Sequence, residues 1–218
     1  MSRHFLFISL LLSASLAGKA QSGKAMYHMD MKTESVSPIT AMIDETEDCN
    51  IVHNSFQSTQ SVSVGKSDFL IKTAADDDPV AGFNVICVYK GNDKLIELKD
   101  YDMWTYMYDG FSSIDYKKYT DNRYYIPLDL NAQTKALCFV GWPYGGDLSY
   151  LTIIILTEND AKLVFHKNVS IEDIIKTDDE YSIKIQTTLE EYDSCGKLTT
   201  SPTYGTIYSK SGILYIEK

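Results

Sequence analysis

The sequence predicts an all-β domain built from antiparallel meanders. Three observations predict it. Runs rich in Val, Ile, Thr, Tyr and Phe recur along the chain and are separated by Gly, Asn and Asp. Helical periodicity is scarce. One layout of strand, tight turn and strand occurs three times.

The strands follow in order at 69–72, 83–89, 95–99, 124–128, 136–140, 150–156, 162–166, 181–189, 205–208 and 213–216. In each, β-branched and aromatic residues fit a pleated, buried surface. Two short helices are expected beside them. At 170–176, Ser170 is a helix cap, Glu172 and Asp173 suit the positive end, and Ile171, Ile174 and Ile175 share one helical face. Residues 112–119 form the second.

The repeated layout first appears as Val85-Ile86-Cys87-Val88-Tyr89-Lys90-Gly91-Asn92-Asp93-Lys94-Leu95 and its continuation to Lys99. It returns from Thr152 to Lys167 through Asn159-Asp160, and more loosely from Thr206 to Lys218 through Ser211-Gly212. Asn, Asp and Gly tolerate the positive φ that tight hairpins demand. Each copy therefore reads as an outer hairpin of a meander. Recurrence at intervals of roughly 50–65 residues predicts a propeller-like arrangement, with a sandwich or barrel as the alternative.

Residues 1–20 read as a signal peptide. A basic head at Arg3 and His4 precedes the apolar run 5–12, and small residues follow to Ala20. Gly18 and Ala20 suit the −3 and −1 positions, which places the cut before Gln21. The apolar run is shorter than the roughly 20 residues that a membrane span needs. The chain is thus expected to be secreted or periplasmic. Residues 21–48 form a polar N-terminal segment, and 49–218 a single all-β domain.

Arg3 and Lys19 leave with the signal, so 18 Lys and Arg face 30 Asp and Glu, a net charge of −12. That field repels phosphate backbones and anionic membranes, so nucleic acid is not an expected partner. No later apolar run is long enough to span a membrane.

Four cysteines are spaced without a Cys-x-x-Cys motif. Cys87 and Cys138 lie within apolar strands and read as small core residues. Cys49 and Cys195 lie in polar, turn-like surroundings. If one bridge forms, the candidate pair is Cys49–Cys195.

No Gly-x-Ser-x-Gly elbow, His-Glu-x-x-His or phosphate loop occurs. The histidines after the signal are His28, His53 and His166. A Cys195 nucleophile with His53 or His166 as base is weighed against a structural or disulfide role for the cysteine, and an exported chain favours the latter. No metal centre is predicted.

The aromatic residues carry the strongest functional signal. Residues 101–150 hold 13 of the 26 aromatics, including both tryptophans. Alternation puts some in the core. The remainder suit sugar or protein surfaces, because Tyr and Trp join an apolar ring to a polar tip. Trp104, Tyr108, Trp142 and Tyr144 are the candidate ligand-binding residues. Trp142 and Tyr144 sit in a loop that also holds Pro143, Gly145 and Gly146.

The run "strand, Asn-Asp, Lys-Leu, strand", with Asp129-Leu130-Asn131 leading into 136–140, resembles degenerate FG-GAP or VCBS-type repeats. That resemblance implies a secreted β-propeller module. In such repeats an Asp-x-Asn-x-Asp-Gly loop often binds calcium. Here the loop reads Asp129-Leu130-Asn131-Ala132-Gln133-Thr134, without the third carboxylate or the glycine, so the expectation is no cofactor, with calcium as the alternative. The functional expectation is a non-catalytic module for a glycan or protein ligand. The alternatives are a carboxylate-based glycan hydrolase and a periplasmic inhibitor or structural subunit.

Overall fold

The computed structural model describes residues 37–38, 56–75, 82–107, 114–142, 148–177 and 180–217. Its strands are β1 (Ser37–Pro38), β2 (Ser58–Val64), β3 (Ser67–Ala74), β4 (Gly82–Lys90) and β5 (Asp93–Thr105). After a 3-10 turn at Tyr116–Lys118 come β6 (Ile126–Asn131), β7 (Thr134–Trp142), β8 (Tyr150–Thr157), β9 (Ala161–Asn168) and β10 (Ser170–Lys176). The chain then forms β11 (Tyr181–Gln186), β12 (Glu191–Tyr192), β13 (Leu198–Thr200), β14 (Tyr204–Lys210) and β15 (Ile213–Glu217). The fold is all-β and antiparallel, as the sequence predicts.

Eight strands form one meander in the order β2-β3-β4-β5-β7-β8-β9, with β6 also on β7. Strand β8 follows β7 along one edge, so β5 and β6 share the other. There Trp104 pairs with Gly141, and Ile126 with Cys138. A second sheet has the order β1-β15-β14-β11-β10. From it β12 and β13 project as an arm.

The large sheet curls without closing into a barrel. Trp104 on β5 reaches Thr152 on β8 and packs near His166 on β9. The second sheet packs on β6–β8, where the Tyr181 hydroxyl accepts the Asp129 N–H at 3.3 Å. Residues 136–141 and 150–154 are therefore buried on both faces of the sheet. Side chains of both sheets, from Phe69 and Phe83 to Ile183 and Ile207, join one core. Each such side chain contributes about 1.5–3 kcal/mol by leaving water.

The three echoed segments are hairpins: β4–β5, β8–β9 and β14–β15. In the last, Ser211 and Gly212 have φ of 52° and 78°, the sign that two-residue hairpin turns of type I′ require. In the first, positive φ falls on Gly91. The first two hairpins lie in one continuous sheet and the third in the other. The repeat thus marks hairpins and does not divide the chain into four-stranded blades.

One expectation is corrected outright. Residues Ser170–Lys176 form strand β10, not a helix. A bulge between Ile171 and Asp173 shifts the register by one residue. It places Ile171 and Ile174 on the same sheet face three residues apart, which is also a helical spacing. Ile175 faces away and is exposed. The segment 112–119 contributes the 3-10 turn at Tyr116–Lys118, capped by Asp115, whose carboxylate accepts the Lys117 N–H.

Candidate functional site

An antiparallel meander sorts its connections to two ends. The tight turns at 65–66, 91–92, 132–133 and 158–160 gather at one end. They are tied together there: Glu158 accepts the Lys66 N–H at 2.8 Å on its carboxylate, and the Lys90 ammonium at 2.7 Å on its carbonyl. The 211–212 turn packs against Asn131 at the same end. The long connections 75–81, 106–125 and 143–149 leave from the other end. Loops on a rigid scaffold are where binding residues concentrate.

Two of the four predicted residues are described, and both stand at strand ends there. Trp104 is the penultimate residue of β5, and Trp142 ends β7 opposite Met103. Tyr108 and Tyr144 follow these strand ends within three residues in sequence and lie outside the described residues. Trp104 itself is 1% exposed and belongs to the core, so its ring serves packing and not an open surface.

Around it lies an aromatic cluster. Phe83 is the hub, with ring centroids 6.1 Å from Trp104, 5.9 Å from Tyr106, 5.6 Å from Tyr124 and 6.4 Å from Phe139. Tyr150 packs edge-on to Trp104 at 5.9 Å and to His166 at 5.4 Å. The cluster reaches solvent through half-buried Tyr124 and His166 and exposed Arg123. The Arg123 guanidinium lies 3.8 Å from the Tyr106 ring centroid, a cation–π contact. The Tyr106 hydroxyl donates to Gln57 Oε1 at 3.3 Å, and Asn122 Nδ2 to Gln60 Oε1 at 2.6 Å. These two bonds fasten the 106–125 connection to the start of β2.

A polar chain runs through this cluster. Trp104 Nε1–H donates to Thr152 Oγ1 at 3.0 Å. Thr152 Oγ1 lies 2.7 Å from His166 Nδ1. An indole only donates, so it takes a lone pair of the hydroxyl. The hydroxyl keeps a second lone pair and its proton, so it bridges the indole and the imidazole. This polar chain is not legible in the sequence, because nothing in the spacing of residues 104, 152 and 166 reveals that β5 folds over β8 and β9.

Cys87 and Cys138 are buried in strands, as expected. Burial raises the Cys138 thiol to about 12. Burial, then the Glu97 carboxylate, raises Cys87 to about 11. Cys195 is exposed in the 193–196 turn, where Asp193 accepts the Cys195 and Lys197 N–H groups at 2.9 Å each. Cys49, His28 and His53 lie outside the described residues. The fold does not bring Cys195 to His166, whose Nδ1 is held by Thr152.

Asp129 is 3.0 Å from the Lys135 ammonium, and Asn131 Oδ1 accepts the Gln133 N–H at 2.8 Å. These residues build a hairpin turn. Among the described residues no group of three or more His, Cys, Asp or Glu side chains is placed to hold a metal ion. None of their helices is long and apolar enough to cross a membrane. No family model matches the chain, and neither a curated protein nor a solved structure is matched.

Proposed function

We propose that the chain is an exported, non-catalytic binding module that holds a glycan or protein ligand at its long-connection end. The observation that carries this reading is the segregation of connections. The end with tight turns is locked by Glu158. The other end carries the ends of β5 and β7 and the aromatic-rich segments that follow them. Rigid strands followed in sequence by segments rich in Tyr and Trp support a ligand site of low entropic cost. The signal-like N-terminus and the −12 charge are consistent with work outside the cytoplasm.

Glycan arrays probed with the secreted chain, alongside the Trp142→Ala variant, test the reading. Selective glycan binding that is lost in the variant, with the fold intact, supports it. Cleavage of a bound glycan would replace it with the carboxylate hydrolase.

A further inference from the structure

Sheet edges in this protein are guarded unequally. A strand that ends a sheet offers a row of N–H and C=O groups to any further strand, and charges, prolines and bulges blunt it. Among the described residues, β6 carries Pro127 and a bulge between Asp129 and Asn131. Strand β9 carries Lys162, Lys167 and a bulge that skips Val164. Strand β10 carries Lys176 and a bulge between Ile171 and Asp173, with Glu172 exposed in it. Strand β1 is two residues long and ends in Pro38. Strand β2 has none of these devices. Its residues Ser58–Val64 include neither charge nor proline, and they pair with β3 without a register shift.

The β2–β3 hairpin fixes which groups face that edge. Its loop is Gly65-Lys66, with φ of 58° at Gly65. A two-residue loop closes on a hydrogen-bonded pair, here Val64 and Ser67, and such pairs then alternate along the ladder. Val64, Val62, Gln60 and Ser58 therefore bond to β3. Thr59, Ser61 and Ser63 turn their N–H and C=O groups to the outer edge, where no described strand pairs with them. The side chains of these three residues are exposed.

We propose that β2 is the seam of a two-fold dimer, paired antiparallel with β2 of a second copy about Ser61. The strand's own sequence selects that occupant. In this register the edge-facing residues make the hydrogen-bonded pairs of the new ladder: Thr59 with the copy's Ser63, Ser61 with the copy's Ser61, and Ser63 with the copy's Thr59. Short hydroxyl side chains then lie opposite one another, a favourable cross-strand pairing. The next strand extends the match. Lys72 flanks Thr59 and Asp68 flanks Ser63, so each of these rows runs from a lysine on one β3 to an aspartate on the other. Leu70 flanks the central serines from both sides. No like charges share a row, and an acidic chain meets its copy along a strand that holds no carboxylate.

The interface is the same patch on both copies, so pairing uses up the free edge and stops at two. Because the two strands run antiparallel, the long-connection end of each copy lies beside the tight-turn end of the other. The two long-connection ends then point in opposite directions. The dimer stands on the β2 edge alone and is independent of the ligand assigned above.

Sedimentation equilibrium of the folded chain tests the inference. Twice the chain mass is expected at micromolar concentration. Ser61→Pro removes an N–H that faces the outer edge and spares the β2–β3 ladder. It is expected to give a monomer with unchanged far-ultraviolet dichroism. Ser61→Lys brings two ammonium groups together at the two-fold axis and is expected to weaken association about tenfold or more. Asn159→Lys adds the same charge at an exposed turn and is expected to leave association unchanged. A native chain that stays monomeric over the micromolar range, or a dimer that survives both Ser61 variants, overturns the inference. Equal weakening by Ser61→Lys and Asn159→Lys overturns it as well, because net charge and not the β2 edge would then set the association.

Discussion

The ring of Tyr150 fills the space in front of Gly141, its partner across the β7–β8 pairing. A Cβ placed on residue 141 would lie 2.0 Å from Tyr150 Cζ. Tyr150 in turn packs against Trp104 and His166. The absence of a side chain at one strand position thus sets the aromatic packing of the candidate site.

Gly141→Ala is expected to destabilise the protein. Removing glycine stiffens the unfolded chain, a gain of about 0.4–1 kcal/mol. Displacing a buried ring costs about 1–3 kcal/mol, and that term wins. Urea unfolding should show a lower midpoint, and near-ultraviolet dichroism should show altered aromatic packing. An unchanged midpoint and spectrum would remove Tyr150 from the place assigned to it.

The Trp104–Thr152–His166 chain makes a paired prediction. Thr152→Val keeps the shape but leaves the Trp104 N–H, in a residue 1% exposed, without its acceptor. The expected cost is about 1–3 kcal/mol. Thr152→Ser keeps the hydroxyl and should cost less. Equal costs for the two variants would contradict the role of the hydroxyl as acceptor for the indole.

Strand β10 is tested by two neighbouring isoleucines. A helix would place Ile174 and Ile175 on one face. The strand packs Ile174 on the core and leaves Ile175 exposed. Ile174→Ser should therefore lower stability measurably, while Ile175→Ser should change it by no more than about 0.5 kcal/mol. Equal costs would favour the helix.

The buried acids predict alkaline sensitivity. Cys87, Cys138 and Tyr125 are raised to about 11, about 12 and about 12, each chiefly by burial. Above pH 9 the unfolded chain releases these thiol protons while the folded chain keeps them. Stability is therefore full at lower pH and falls as pH rises through that window. At neutral pH a thiol reagent should label reduced Cys195 quickly, and Cys87 and Cys138 only on unfolding. Rapid native labelling of Cys138 would contradict its burial.

The strands were legible wherever both faces are buried. Residues 150–156 are apolar because β7 and β9 flank them and both sheet faces are covered. Strand β2 was not legible, because only Val62 and Val64 of its seven residues face the core. Strand β10 was misread because its bulge imitates a helical spacing. At the candidate site the density of aromatics was legible, but their division between interior and surface was not. Trp104 goes inward because the large sheet curls, a property of eight strands together and not of the residues near position 104. His166 and Arg123 carried no sequence signal, since each gains its role from a ring supplied by another part of the chain.

The central claim is that the long-connection end binds a ligand. Trp142, the last residue of β7, stands at that end. The most direct test is glycan-array binding of the folded chain against its Trp142→Ala variant, with unfolding midpoints measured in parallel. The account predicts selective binding by the native chain, lost in the variant at an unchanged midpoint. Binding equal in both proteins would contradict it.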